Sequence, residues 1–382
     1  MIRTKLCCQL ICTLTVCQPY FTHGQDSAAC IWITDLKPED MLMMISISNS
    51  DKLRDRCSLG LHIGVWFPDA SKSKLLESIF KNFRLEEKLE DNYVQFYSGA
   101  TTPIIRNGNS RTDTEFSIFL QSQLLKKVKN RILITAPCTD LARAIERSND
   151  SSVFDNIDEI YWAGGFFDEP MHDSRIEDRK EEASTPNRKI SVRKAVGYNW
   201  SKDIEATRSI VQLASLAFKT TIVSRESHPY SRVMNRTSFP TLIQKIGIMY
   251  EAGDQSIRQL VHHRRPDNMR NVKKPFYLNG HKRIWIRADP VVATMLFFYP
   301  KLVIDKKLVS YSLHVVRQDY FGTEAEVYGE SAINDASIDE KQIDQPQTRV
   351  DRLYTQYPYQ HKLVKEINKE LFESTIVSLL KQ

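Results

Sequence analysis

The stretch Cys30-Ile-Trp-Ile-Thr34-Asp35-Leu-Lys-Pro38-Glu39-Asp40-Met-Leu-Met-Met44 decides how this chain is read. Residues 30–34 form a short uncharged run of the kind found in strands buried on both faces. Pro38 is pre-set for the first turn of a helix, and Glu39 and Asp40 favour that helix's positive end. A buried strand therefore runs almost directly into a helix. Acids at a helix start need no functional role. Asp35, however, lies at the strand's end, where a third carboxylate adds repulsion unless a cation is present. Oxygen donors from Asp35 and Asp40 would suit a hard cation such as calcium.

Moving outward, the same strand-like runs recur at 61–66, 93–97, 131–135, 158–162 and 220–224. Helical spacing occupies 73–83, 116–128, 139–147 and 202–218. Strands alternating with helices of this length predict an α/β fold, a mainly parallel open sheet with helices on both faces. In such sheets ligands bind beyond the C-terminal ends of the strands, which is where Asp35 falls. Two segments read as inserted surface loops. Residues 168–194 are dense in both charges, and residues 324–344 are acidic with only Lys341 opposing. Residues 262–287 carry eight Lys or Arg against Asp267 alone, which reads as a solvated basic face.

The N-terminus bears on compartment. Arg3 and Lys5 precede about a dozen largely apolar residues ending near Cys17, and small or polar residues follow. This predicts a secretory signal peptide over 1–24, cleaved after Gly24. The run is too short to span a bilayer as a helix, so no stable membrane anchor is expected. Sequons at Asn149, Asn199 and Asn235 agree with a secreted glycoprotein. Of the seven cysteines, cleavage leaves Cys30, Cys57 and Cys138, enough for one intramolecular disulfide with one thiol left over. No Cys/His group has zinc spacing. The net charge of +6 over 382 residues gives no argument for nucleic acid. Neither G-x-G-x-x-G after a strand nor G-x-x-x-x-G-K occurs, so dinucleotide and nucleotide-phosphate binding lack support.

Five segments, in order, resemble the inosine-uridine nucleoside hydrolases. Thr34–Asp40 looks like a worn D-x-D-x-G-x-D-D. The segment Leu133-Ile-Thr135-Ala-Pro-Cys-Thr-Asp-Leu-Ala142 is similar to T-G-P-L-T-N-L-A, and Asp158-Glu-Ile-Tyr-Trp-Ala-Gly-Gly165 resembles I-V-x-M-G-G. Tyr198-Asn199 with Asp203-Ile-Glu-Ala206 resembles E-F-N and D-P-E-A. Ala288-Asp289-Pro290-Val-Val-Ala293 is similar to H-D-P-x-A-V. The resemblance runs from about residue 30 to the C-terminal helix. It implies one domain over 25–382, enlarged by loops near 168–195 and 324–348.

The resemblance implies calcium-dependent hydrolysis of the N-glycosidic bond of ribonucleosides. Calcium would be held by Asp35, Asp40, the Thr135 carbonyl and Asp289, with Asp35 also the general base toward metal-bound water. Glu39 and Asn199 would bind ribose. Several positions depart from the pattern. Ile33 and Lys37 replace the first aspartate and the glycine, Gly197 stands where E-F-N has glutamate, and Ala288 replaces the histidine that helps the base leave. His228 is a stand-in acid by residue type only. The Asn199 sequon must stay unglycosylated if Asn199 is to touch ribose. The competing expectation is an inactive nucleoside hydrolase-like binding protein that keeps calcium for structure. By analogy, homo-oligomers are expected.

Overall fold

The computed structural model describes residues 27–48, 50–68, 72, 93–104, 113–148, 150–165, 194–195, 198–224, 239–262, 276–278, 282–284, 286–318, 325–334 and 360–380. The strands are β1 (Ala28–Thr34), β2 (Leu61–Val65), β3 (Val94–Ser98), β4 (Lys129–Ile134), β5 (Ile157–Ala163), β6 (Lys194–Ala195), β7 (Thr220–Val223), β8 (Phe276–Leu278), β9 (Lys282–Ile284), β10 (Val303–Gln318), β11 (Ala325–Asn334) and β12 (His361–Ile367). Ten of them form one sheet in the order β3-β2-β1-β4-β5-β7-β12-β10-β11-β6, and β8 pairs with β9 apart from it. Pairing is parallel from β3 through β12. It is antiparallel from β12 out to β6. The α/β expectation holds, with an antiparallel extension at one edge.

The helices are α1 (Pro38–Ser48), α2 (Lys52–Arg56), α3 (Glu115–Leu125), α4 (Thr139–Ser148), α5 (Ser152–Asp155), α6 (Tyr198–Ser201), α7 (Ile204–Val211), α8 (Ala214–Ala217), α9 (Pro240–Glu251), α10 (Gln255–His262), α11 (Ala288–Phe298) and α12 (Lys369–Leu379). Because successive side chains of a strand face opposite ways, β1 feeds two cores. Cys30 and Trp32 join α1, α9, α11 and α12 on one face. Ile31 and Ile33 join α3, α4 and α7 on the other. Each large apolar side chain so buried contributes about 1.5–3 kcal/mol. Helix α11 is buried all round except at Asp289, so it fills the first core as a central rod. On the second face, close packing excludes a side chain at one point in β2. A Cβ on Gly64 would lie 2.0 Å from the Phe116 ring.

The sheet reverses its winding at β1. The chain moves outward through β2 and β3 on one side, then returns to β4 on the other. The crevice beyond the ends of β1 and β4 is the topological switch point, where open α/β sheets bind ligands. A disulfide joins Cys30 of β1 to Cys57 beyond α2, with Cα atoms 5.1 Å apart, and Cys138 is left as a buried thiol. It ties the start of β1 to the segment leading into β2.

Four expectations need correction or fall outside the described residues. The helix expected over 202–218 is two helices, α7 and α8. The His361 ring from β12 hydrogen-bonds the Val211 carbonyl through Nε2 (3.0 Å), at the point where α7 stops. The loop expected over 324–344 begins instead as β11, which pairs along β10 and carries β6 at its outer edge. Its acidic residues masked the period-two spacing of Ala325, Val327 and Ile333. Residues 335–344, nearly all of 168–194, and the whole helix expected over 73–83 lie outside the described residues.

Candidate functional site at the switch point

The end of β1 builds the site. After Thr34 the chain turns through Leu36, which is fully buried and left-handed at φ 51°. That conformation costs a non-glycine residue about 1–2 kcal/mol. It is held in place by the Leu36 amide donating to Thr34 Oγ1 (3.0 Å). Across the turn, the Lys37 ammonium forms an ion pair with the Asp35 carboxylate. Pro38 then opens α1, placing Glu39 and Asp40 in its first turn. Helix-start chemistry is thus met as the sequence predicts. Yet all three acids are buried, with Asp35 4%, Glu39 1% and Asp40 1% exposed.

Asp40 carries the electrostatic burden of that arrangement. Burial, followed by the charges of Asp35 and Glu39, pushes its carboxyl well above the usual carboxylate range. The Thr34 hydroxyl, donating to Asp40 Oδ2 at 2.7 Å, and the Thr135 hydroxyl both favour its charged form. The other oxygen, Asp40 Oδ1, is buried with no hydrogen-bond partner.

The end of β4 supplies the second wall. Thr135 is fixed by its amide donating to the Ile33 carbonyl (2.9 Å) and by Trp32 Nε1 donating to its hydroxyl (3.0 Å). Its own carbonyl accepts from Asn199 Nδ2 at 2.7 Å. Asn199 reaches in from α6 and is 6% exposed, with Oδ1 lacking a hydrogen-bond partner. It is anchored by the next residue, Trp200, which packs against Trp162 and Tyr311 with ring centroids 4.9 and 5.1 Å apart. Trp200 also covers Gly164 at the end of β5, where a Cβ would meet its ring at 1.9 Å.

The structure therefore brings together Asp35, Glu39, Asp40, Thr135 and Asn199. Asp289 lies in the first turn of α11, half-buried. Ala288, in the position of the resemblance's histidine, is fully buried. Gly197 and His228 lie outside the described residues, as do the sequon asparagines 149 and 235. Asn199 is described, and its Nδ2 donates to the Thr135 carbonyl.

Of the expected calcium set, Asp35, Asp40 and Thr135 stand together at the strand ends, while Asp289 lies in the first turn of α11. Among the described residues no three His, Cys, Asp or Glu side chains are grouped so as to hold an ion. Calcium asks for six to eight oxygens around one point. Here one carboxylate is ion-paired to an ammonium, and the Thr135 carbonyl already takes a side-chain hydrogen bond. The resemblance carries residue types from position to position. It does not carry the consequence of placing a lysine where the pattern has a glycine.

A second buried acidic group adjoins the site and escaped the sequence reading as a structural unit. Asp140 accepts from the Ala100 amide (2.9 Å) and the Thr114 hydroxyl (2.5 Å). Asp203 accepts from the Ile104 amide (2.9 Å), the Thr139 hydroxyl (2.6 Å) and the Ala206 amide (3.0 Å). Burial pushes Asp203 up to about 6, against those hydrogen bonds and the Arg143 charge. These acids pin the loop after β3 and the starts of α4 and α7. The available signal was the pair of acids at predicted helix starts, Thr139-Asp140 and Asp203-Ile-Glu.

By sequence alone, no protein-family profile and no curated protein matches the chain. Solved structures do. An inosine-guanosine nucleoside hydrolase superposes with a TM-score of 0.56 at 12% identity, covering 93% of this chain and 99% of its own. The inosine-uridine preferring nucleoside hydrolase from Bacillus anthracis gives 0.51 at 14% identity, with 93% and 99% covered. The type III effector protein XopQ, complexed with adenosine diphosphate ribose, gives 0.50 at 12% identity, with 93% of each chain covered. Identities this low establish architecture alone, and the architecture this chain shares is that of the nucleoside hydrolases.

Proposed function

We propose that the switch-point cleft binds the ribose of a ribonucleoside and hydrolyses its N-glycosidic bond, giving free ribose and the base. One observation carries this reading. The Asp40 and Asn199 side chains each hold a buried oxygen, Oδ1, with no hydrogen-bond partner. Leaving such an atom unmet costs about 1–3 kcal/mol, so the site is arranged for a donor from outside the chain. Vicinal sugar hydroxyls supply such donors, and Glu39 stands one residue away to take another.

In the hydrolytic step Asp35 is the general base. The Asp35 carboxylate takes a proton from a water whose oxygen attacks the anomeric carbon as the N-glycosidic bond breaks and the base leaves. Ala288 offers no acid where the resembling motif has its histidine, so departure of the base is unassisted from that position. Loss of such assistance costs roughly 10²–10⁴-fold, and slow turnover is expected. The second reading is binding without turnover. It is favoured by the ion pair that engages the candidate base and by the methyl group at Ala288.

Titration calorimetry with inosine and uridine, beside an assay for released ribose, tests both. Binding with ribose release supports the hydrolase, and binding without release leaves the second reading. No heat with any nucleoside sinks both. The Asp35→Asn variant should lose ribose release while still binding inosine.

A secreted location is proposed with this function. The Cys30–Cys57 disulfide supports it, because disulfides persist in oxidising compartments. Among the described residues no helix is long and apolar enough to cross a membrane. N-terminal sequencing of protein recovered from culture medium should begin near Gln25, and an intact Met1 would overturn the leader.

A further inference from the structure

We propose that the Lys37 ammonium is the resident cation of the cleft, so that the site takes its ligand without a divalent metal. The inference rests on the ribose-binding reading and identifies what supplies the positive charge there.

The argument begins with chain geometry. A strand end and a helix start only three residues apart bring Asp35, Glu39 and Asp40 into one buried corner. Three carboxylates so close repel one another strongly where water is excluded. Positive potential must come from somewhere. The N-terminus of α1, eleven residues long, offers about half an elementary charge to Glu39 and Asp40. The remainder comes from Lys37, whose side chain folds back across the left-handed turn at Leu36 onto Asp35.

Glycine at this position, as in the resembling motif, has no side chain and leaves the corner open for an ion. Lysine fills the corner with four methylenes and a fixed charge. The side chain is 22% exposed while its partner is 4% exposed, so the ammonium enters from the solvent side. Among the oxygens that face a ligand are Asp40 Oδ1 and Asn199 Oδ1, both buried and without a hydrogen-bond partner, and beside them stands the Asp35 carboxylate that Lys37 already pairs. An ammonium carries one charge and three donors, and unlike calcium it brings no coordination shell that those oxygens must complete.

The test uses the full secreted chain. Equilibrium dialysis with radioactive calcium and thermal melts in EGTA or excess calcium chloride are read first, and inosine titrations follow in the same buffers. The wild type is expected to hold no stoichiometric calcium, to melt at one temperature in both buffers, and to bind inosine equally in both. Lys37→Gly should weaken inosine binding at least tenfold in EGTA and should acquire calcium binding that restores part of the affinity. Lys37→Arg should keep metal-independent binding, which separates charge from shape should the glycine variant fail to fold. One calcium per wild-type chain, or inosine binding abolished by EGTA, overturns the proposal and leaves the ribose reading standing. Inosine binding absent in every buffer sinks the ribose reading instead, while the calcium measurements still decide the role of Lys37.

Discussion

Two buried acidic groups lie a short way apart at the C-terminal ends of the parallel strands, and they differ in one respect. Around Asp140 and Asp203 every carboxylate oxygen accepts at least one hydrogen bond from this chain. Around Asp35, Glu39 and Asp40 the acids instead crowd one another, and Asp40 keeps an oxygen unmet. The first group is closed and holds loops in place. The second is open, and its incompleteness is what makes it a candidate site. Burial of acids does not separate structure from function here, but completeness of their hydrogen bonding does.

The largest effect should come from breaking the closed group. Asp203→Ala leaves the Ile104 and Ala206 amides and the Thr139 hydroxyl without their acceptor and should cost about 3–4 kcal/mol in urea unfolding. A loss under about 1 kcal/mol would mean the group is not the anchor described.

Next is the disulfide, which braces the open side. Replacing Cys57 with Ser releases a closure of 27 residues and should cost about 3 kcal/mol, read as a lower urea midpoint. An unchanged midpoint under reducing and oxidising conditions would show that β1 needs no brace.

Acid pH sharpens the contrast from outside both groups. His361 is held neutral by burial, down to about 4, so its folded value lies below its unfolded one near 6.5. Its contribution is present above the unfolded value and is lost as pH falls toward the folded one. Going from about pH 7 to about pH 5 should cost the wild type about 2 kcal/mol through this residue, a loss that His361→Gln should not show. Asp203 works in the opposite direction. Its folded value, about 6, lies above its unfolded one, so it favours the fold at low pH and loses that contribution as pH rises through 6. His62, also pushed down to about 4 by burial, acts in the same direction as His361. With both histidines replaced, the melting temperature should rise slightly on acidification, and a continued fall would contradict the sign assigned to Asp203.

The smallest effect has the opposite sign to the first. Asp40→Asn removes a carboxyl disfavoured by burial and by two like charges, so the protein should gain up to about 1 kcal/mol while inosine binding weakens. Stability bought at the cost of binding is the mark of an open site, and a destabilised variant would place Asp40 with the closed group.

Much of this was legible along the chain. The buried strand that runs into Pro38, Glu39 and Asp40 is a local pattern, because side-chain periodicity and helix-start chemistry act over a few residues. That ligands bind beyond the C-terminal ends of the strands followed from the alternation of strands and helices, whereas the reversal at β1 did not. What stayed hidden depended on contacts between distant or oddly placed residues. At the break after Val211 the freed carbonyl is met by His361, 150 residues away. The pairing of Asp35 with Lys37 spans two residues across a left-handed leucine, which no helical or strand period anticipates. In β11 an acidic composition concealed a strand whose pairing partner is a sixteen-residue neighbour.

The hydrogen bond from Asn199 to the Thr135 carbonyl has a consequence for how the chain is made. Asn199 heads a sequon, and the nitrogen that would carry a sugar is the one that joins α6 to the end of β4. Sugar transfer needs that nitrogen accessible on an unfinished chain, whereas the finished fold encloses it. A chain modified there cannot complete the cleft. If the chain enters the secretory pathway as proposed, mass analysis of Asn199 would record a race between the modifying enzyme and the docking of α6, with the unmodified molecules being those in which folding arrived first.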